Sequence, residues 1–361
     1  MRIQTEPIGS IPRPVELILG IKAHASGQLK DSDLRQLYDA ALIDTIKKFE
    51  ATGSPVITDG EQTKPSFATY PIEGLQNLAP GGVIIPFSDG HIRQLPKLTE
   101  GPFRYQTYAD TYVTKAKTLT SLPVKQAVIS ASAISLLYPL EGIEGYSREQ
   151  FTRDLVLEAV ADIRRSLNSG AYNVQIDFTE ARLSLKLDPS GGLLQAFIDL
   201  NNTVLSHFSE EERKRIGIHS CPGGDHDSTH SADISYTSLL PLLFQLNAGN
   251  FYLEFAGEKN KKHVLNAIKQ NMKPGQRIFL GVTNVLDPRI ETVEEIRDTI
   301  LEAAETIPSD QLGTTDDCGF SPFADDVSTA RETAFAKIKA RIDGTRLAEE
   351  VMNKKKVFFQ S

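Results

Sequence analysis

SREQFTRDLVLEAVADIRRSLNSGAYNVQIDF, residues 147–178, decides the architecture. Ser147 followed by Gln150 has the pattern of a capping box, apolar residues then recur at helical spacing, and Gly170 closes the run. NVQIDF (173–178) comes next, a short apolar run of strand character that ends on an acid. A helix that feeds a strand is half of a β/α repeat, and the same punctuation recurs along the chain. Other strand-like runs are PIGSIP (7–12), PVITDGE (55–61), QAVISAS (126–132), RIGIHSC (215–221), NFYLEFAG (250–257), RIFLGVT (277–283) and QLGTTDDCG (311–319). TVEEIRDTILEAAETIP (292–308) repeats the helical pattern, with glutamates early and a proline at its end. Strands alternating with helices in this number predict an α/β fold of the (β/α)8 TIM-barrel type, one domain over residues 1–361.

Residues 76–115 break the alternation. Their Pro-Gly-Gly, Ser-Asp-Gly and alternating FRYQTY predict β-hairpins inserted after the second strand, where they would cap one mouth of the barrel. The basic tail NKKKVFFQS (353–361) reads as a solvated terminus.

A net charge of −8, with 40% apolar and 24% charged residues, describes a mildly acidic globular protein and argues against a nucleic-acid partner. No stretch approaches the roughly 18 apolar residues of a membrane span, and the N-terminus lacks an apolar signal segment. No membrane partner and a cytoplasmic location are therefore expected. Two cysteines are too few for a disulfide framework, which points to a reduced compartment and to metal or catalytic roles.

His219 and Cys221 lie two apart on a strand, hence on one face. Cys318 follows another strand candidate, and Glu254 ends the apolar FYLEF. In a (β/α)8 barrel such strand ends converge on the active face. Thiolate, imidazole and carboxylate are the donors zinc prefers. The same residues also read as two small buried hydrophobes and a helix cap.

IGSIPRP, DGE, QID, the H-x-C of IHSC, the glutamate of YLEF and DCGF resemble, in order and spacing, the catalytic barrel of cobalamin-independent methionine synthase, in a short form. The superfamily also includes epoxyalkane-coenzyme M transferases and uroporphyrinogen decarboxylase. The resemblance implies a Zn2+-dependent methyltransferase acting on the thiol of homocysteine, with His219, Cys221, Glu254 and Cys318 as metal ligands. It further implies that backbone groups of Ile8, Gly9 and Ser10 take the amino-acid carboxylate, and that Glu61 and Asp177 take its ammonium.

The chain departs from the family on the donor side. Leu286 of GVTNVLDPRIE stands where the family has a proton-donating histidine. The chain has no tryptophan, and Tyr138 lies near the position of the family's folate-flanking one. QIDFTEARL leaves only Glu180 as a replacement for the family's further acidic contacts. The added loop GGDHDSTHSAD (223–233) carries Asp225, His226, Asp227, His230 and Asp233, which read as a second metal site or a replacement acid, with His226 and His230 as candidate acids. Lacking the acid, the chain is expected to prefer a methylcorrinoid or another activated methyl donor to methyltetrahydrofolate. Two alternatives stand beside this reading: a coenzyme M-type thiol alkyltransferase and a non-catalytic zinc-binding barrel.

Overall fold

A computed structural model describes residues 2–358 of the chain. Seven strands form one parallel sheet: β1 (Gln4–Thr5), β2 (Gln126–Ile129), β3 (Val174–Asp177), β4 (Ile216–Ser220), β5 (Asn250–Leu253), β6 (Arg277–Gly281) and β7 (Leu312–Thr315). Their spatial order is β1-β7-β6-β5-β4-β3-β2, and every pairing is parallel. Beyond β2 lies a single parallel bridge, Ile57 with Val124. Residues 58–60 in turn lie against the segment after β1, where the Thr58 hydroxyl donates to the Gly9 carbonyl at 2.8 Å and the Ile11 N–H to the Gly60 carbonyl at 3.0 Å. The sheet curls, with helices outside it, and β2 to β5 are buried along their whole length. Burial on both faces explains why these strands read as apolar runs rather than alternating ones.

The capping box at Ser147 forms as predicted, the helix runs Arg148–Asn168, and Gly170 sits at φ 85°, the left-handed conformation glycine adopts without a Cβ penalty. Thr292 and Glu295 make the equivalent box at the start of helix Val293–Ala304.

Three local predictions are corrected, and the tail gains a conformation. The first strand is Gln4–Thr5, not residues 7–12, because Pro7 and Pro12 have no N–H to give a ladder. PVITDGE supplies one bridge and no strand, since the chain turns sharply at Gly60 and Glu61, both at positive φ. FRYQTY stays unpaired and leads into helix Asp110–Lys117. Residues 353–358 continue the last helix, Arg331–Phe358, while 359–361 of the predicted tail lie outside the described residues.

In region 76–115, Leu78–Ala79 pairs with Lys97–Leu98 and Ile84–Pro86 with Ile92–Gln94, both antiparallel. Inside the curled sheet lies a buried polar network. Glu6 accepts from the Tyr252 hydroxyl at 2.6 Å and from Asn173 at 2.8 Å, and Lys125 donates to Gln175 at 2.7 Å. Among the described residues no helix is long and apolar enough to cross a membrane.

Candidate metal and substrate site

Register places Asp177 of β3, His219 of β4 and Tyr252 of β5 side by side at the C-terminal ends of their strands. The His219 Nδ1 faces the Tyr252 carbonyl at 3.2 Å, so a proton on Nδ1 leaves Nε2 with a free lone pair. That Nε2 is buried and, among the described residues, has no hydrogen-bond partner. Cys221 and Cys318 are free, buried thiols with their sulfurs 3.0 Å apart. Donor atoms of His219, Cys221 and Cys318 all lie within 4.8 Å of one another. The hydrogen bond from Cys221, with His219 close by, pulls the Cys318 thiol well below its usual range; that same bond and burial push Cys221 well above. Two sulfurs and an imidazole nitrogen thus converge on one buried point. This donor set fits a thiophilic ion.

Glu254 is not in that group of three. Its buried carboxylate pairs with Arg182 at 2.8 Å, and Arg182 also reaches Glu258 at 2.9 Å. Burial raises the Glu254 pKa well above its ordinary value, with the charge of Asp317 adding to it. Asp317 accepts from the N–H groups of Phe255, Ala256 and Gly257 at 2.7–2.9 Å and so fixes the loop that follows Glu254.

The residues expected to hold an amino acid converge beside the thiols. Among the described residues the N–H groups of Ile8, Gly9 and Ser10 have no protein acceptor, and all three residues line the same chamber as His219 and Cys318. Glu61 and Asp177 line it too. Glu61 bonds Lys64 at 3.0 Å, and Lys64 also donates to the Ala127 carbonyl at 2.9 Å. Asp177 accepts from Gln175 at 2.7 Å, and burial raises its pKa to about 6.

The donor-side candidates divide. Glu180 lines the chamber; Tyr138 does not, because its hydroxyl is spent on the Tyr146 carbonyl at 2.7 Å and its ring packs against Phe151. His230 lines the chamber. Burial first, then Lys186 and Arg182, lower its pKa to about 4, which makes it a neutral imidazole near pH 7 and a poor acid. His226 sits at the tip of the tight turn between Gly224–Asp225 and Ser228–Thr229, 37% exposed, and faces away to Asp225 and Asp326. Leu286 packs near Gly224.

The predicted second metal site does not assemble as read. Asp225 and His226 meet Asp326 instead, while Asp227 and Asp233 are exposed and His230 turns inward. A cation already serves Asp225: Arg93 binds it through two nitrogens at 2.5 and 3.1 Å. Arg93, Arg182 and Lys64 are the site residues the sequence reading missed. Arg93 was the readable one, since period 2 along Ile92–Gln94 puts it on the face of Leu95, which also lines the chamber.

Residues 3–337 match the family described as the catalytic domain of cobalamin-independent synthase. The chain belongs to that family. The reading as a methyltransferase enzyme therefore stands. A methionine synthase of Sulfurisphaera tokodaii is 21% identical over 353 residues, covering 98% of this chain and 94% of that protein. The 5-methyltetrahydropteroyltriglutamate–homocysteine methyltransferase of Vibrio parahaemolyticus is 24% identical over 319 residues, 88% of this chain but 40% of that longer one. The fold is also that of a B12-independent methionine synthase from Shewanella, solved in complex with selenomethionine, at a TM-score of 0.75 and 19% identity over 98% and 100% of the two chains. A putative vitamin-B12 independent methionine synthase from Listeria monocytogenes aligns at a TM-score of 0.71 and 22% identity over 97% and 99%.

Proposed function

We propose that this chain is a zinc-dependent thiol methyltransferase that converts homocysteine to methionine. The observation that carries the reading is the orphaned Nε2 of His219 beside two free thiols, next to a pocket with an acid pair and unpaired N–H groups. Zinc held by His219, Cys221 and Cys318 would supply the Lewis acidity that keeps a substrate thiol ionised at neutral pH. Glu254, whose buried carboxylate feels the charge of Cys318, stays in the proposed ligand set.

The remaining work falls to the chain's own groups. N–H groups of residues 8–10 bind the carboxylate, and Asp177 with Glu61 binds the ammonium. An ammonium requirement favours homocysteine over a sulfonate thiol such as coenzyme M. Hairpin 84–94 and loop 223–230 cover the site and exclude water. The bridge at Ile57 and the contacts between residues 9–11 and 58–60 support closure of the curled sheet into a (β/α)8 barrel, one domain across residues 1–361 with a hairpin insertion at 76–115. A cytoplasmic place and small-molecule partners alone complete the proposal.

The donor follows from Leu286. An amine leaving group must be protonated as it departs, a service typically worth about 10²- to 10⁴-fold, and leucine cannot provide it. A methylcorrinoid or another activated methyl donor is favoured over methyltetrahydrofolate. The test is a donor and thiol screen on zinc-loaded protein, read by product mass. Methylation of homocysteine supports the reading; zinc-loaded protein that alkylates no thiol with any donor overturns it.

A further inference from the structure

The chamber holds one acid more than an amino acid needs. Glu180 is 6% exposed and lies at the start of helix Glu180–Leu187. Its Oε1 accepts from the hydroxyls of Ser130 and Ser132, and Ser132 is itself held by Asn201 at 2.7 Å. Its Oε2 is buried with no hydrogen-bond partner among the described residues, and the residue lines the same chamber as His219 and Cys318. Unlike Glu61, which has Lys64, and Glu254, which has Arg182, it has no paired cation among the described residues.

A buried carboxylate fixed on one oxygen and bare on the other is a poor structural element, because nothing offsets its desolvation. It suits a ligand that brings a positive charge. Phe67, Phe87 and Phe323 are among the chamber's other walls, the last lying under the Arg93 guanidinium at 4.2 Å, which leaves Phe67 and Phe87 as rings with no cation on them among the described residues. Rings and a single carboxylate are what recognises an alkylated cation that offers no N–H to donate. Hairpin 84–94 is tied to loop 223–230 beside the chamber. The Ser88 N–H donates to the Thr229 carbonyl at 3.0 Å, the Ser88 and Ser228 hydroxyls lie 2.8 Å apart, and Arg93 clamps Asp225.

The geometry points to an onium compound, a sulfonium or quaternary ammonium, as the methyl donor, bound by Glu180. The binding half stands on its own; the transfer half rests on the thiol-methylation reading. In that transfer the homocysteine thiolate forms a new S–CH3 bond, the S–CH3 bond of the sulfonium breaks, and its electron pair stays on the departing neutral thioether. No proton moves, which is why the site can work with Leu286.

Choline and its uncharged isostere 3,3-dimethylbutan-1-ol are titrated calorimetrically into the zinc-loaded full chain, with methionine present to fill the amino-acid side. Choline should bind at least about 10-fold tighter than the isostere. Glu180→Gln should abolish that preference and leave the isostere unaffected, and Glu180→Asp should keep part of it. Equal binding of the two probes, or a preference that survives both substitutions, overturns the inference. Trimethylsulfonium with homocysteine should then give methionine and dimethyl sulfide in equal amounts. A chain that prefers choline through Glu180 but methylates no thiol keeps onium recognition and loses the proposed function. One that makes methionine from methyltetrahydrofolate with no choline preference keeps the function and loses the inference. Folate turnover that Glu180→Gln abolishes also overturns it, in favour of Glu180 as a proton donor.

Discussion

Glu180→Gln removes a group whose ionisation the fold resists, and its effect on stability should shift with pH. In the unfolded chain this carboxyl titrates near its ordinary 4.5; in the folded chain burial, aided by the charge of Asp177, holds it to about 7 against the opposing bonds from Ser130 and Ser132. Asp177 is the charged neighbour at the end of β3, Arg182 is committed to Glu254 and Glu258, and Glu61, Arg93, His219 and His230 lie around the same chamber. Between the two values the folded chain binds a proton that the unfolded chain has lost. Stability therefore falls as pH rises from about 4.5 to about 7 and levels off above, by about 3 kcal/mol in all. Glutamine cannot ionise. Its oxygen keeps both serine bonds, while its unpaired amide N–H groups cost about 1 kcal/mol at every pH. The metal-free variant should thus nearly match wild type at pH 5, where the ionisation of the unfolded chain has already cost wild type about 1 kcal/mol, and should be more stable by about 2 kcal/mol at pH 8. Thermal unfolding followed by circular dichroism at both pH values, with the two proteins side by side, reads this directly. Melting curves that keep the same order and spacing at pH 5 and pH 8 would refute the reasoning.

Cys221→Ser or Cys318→Ser should release zinc, measured by elemental analysis after gel filtration; full stoichiometric zinc in the double variant would sink the metal assignment. Asp177→Asn should weaken homocysteine binding by about 2 to 5 kcal/mol in calorimetry while zinc content stays unchanged, since it strips one partner from a buried charge pair. His230→Ala should leave the rate profile between pH 6 and pH 8 unchanged in shape, because burial, Lys186 and Arg182 already keep this imidazole neutral there; a lost limb in that window would restore His230 as an acid. Arg93→Ala should destabilise the chain by about 3 kcal/mol, because Asp225 is wholly buried behind it, and should speed proteolysis within residues 84–94. An unchanged melting temperature and cleavage rate would show that hairpin 84–94 is held by other contacts.

Six of the seven sheet strands, the capped helices and the residues that cluster as His219, Cys221 and Cys318 were legible in the sequence because each depends on local rules. Apolar runs buried on both faces, a Ser-x-x-Gln box before a periodic stretch, and two cysteines ending strands carry their meaning in adjacent residues. Alternation alone misjudged FRYQTY and PVITDGE, where prolines, a left-handed Glu61 and the route of the chain outweighed β character. The partners of charges were decided by tertiary structure, because they lie far apart in sequence: Arg182 with Glu254, Arg93 with Asp225, and Ser130 and Ser132 with Glu180 are 48 to 132 positions apart. Loop 223–233 shows the difference most clearly. Its composition named two histidines as equals, yet a tight turn sends His226 outward and packing turns His230 into the chamber. Sequence specifies which chemical groups are present, whereas their protonation and their aim depend on burial and on neighbours that only the folded chain brings together.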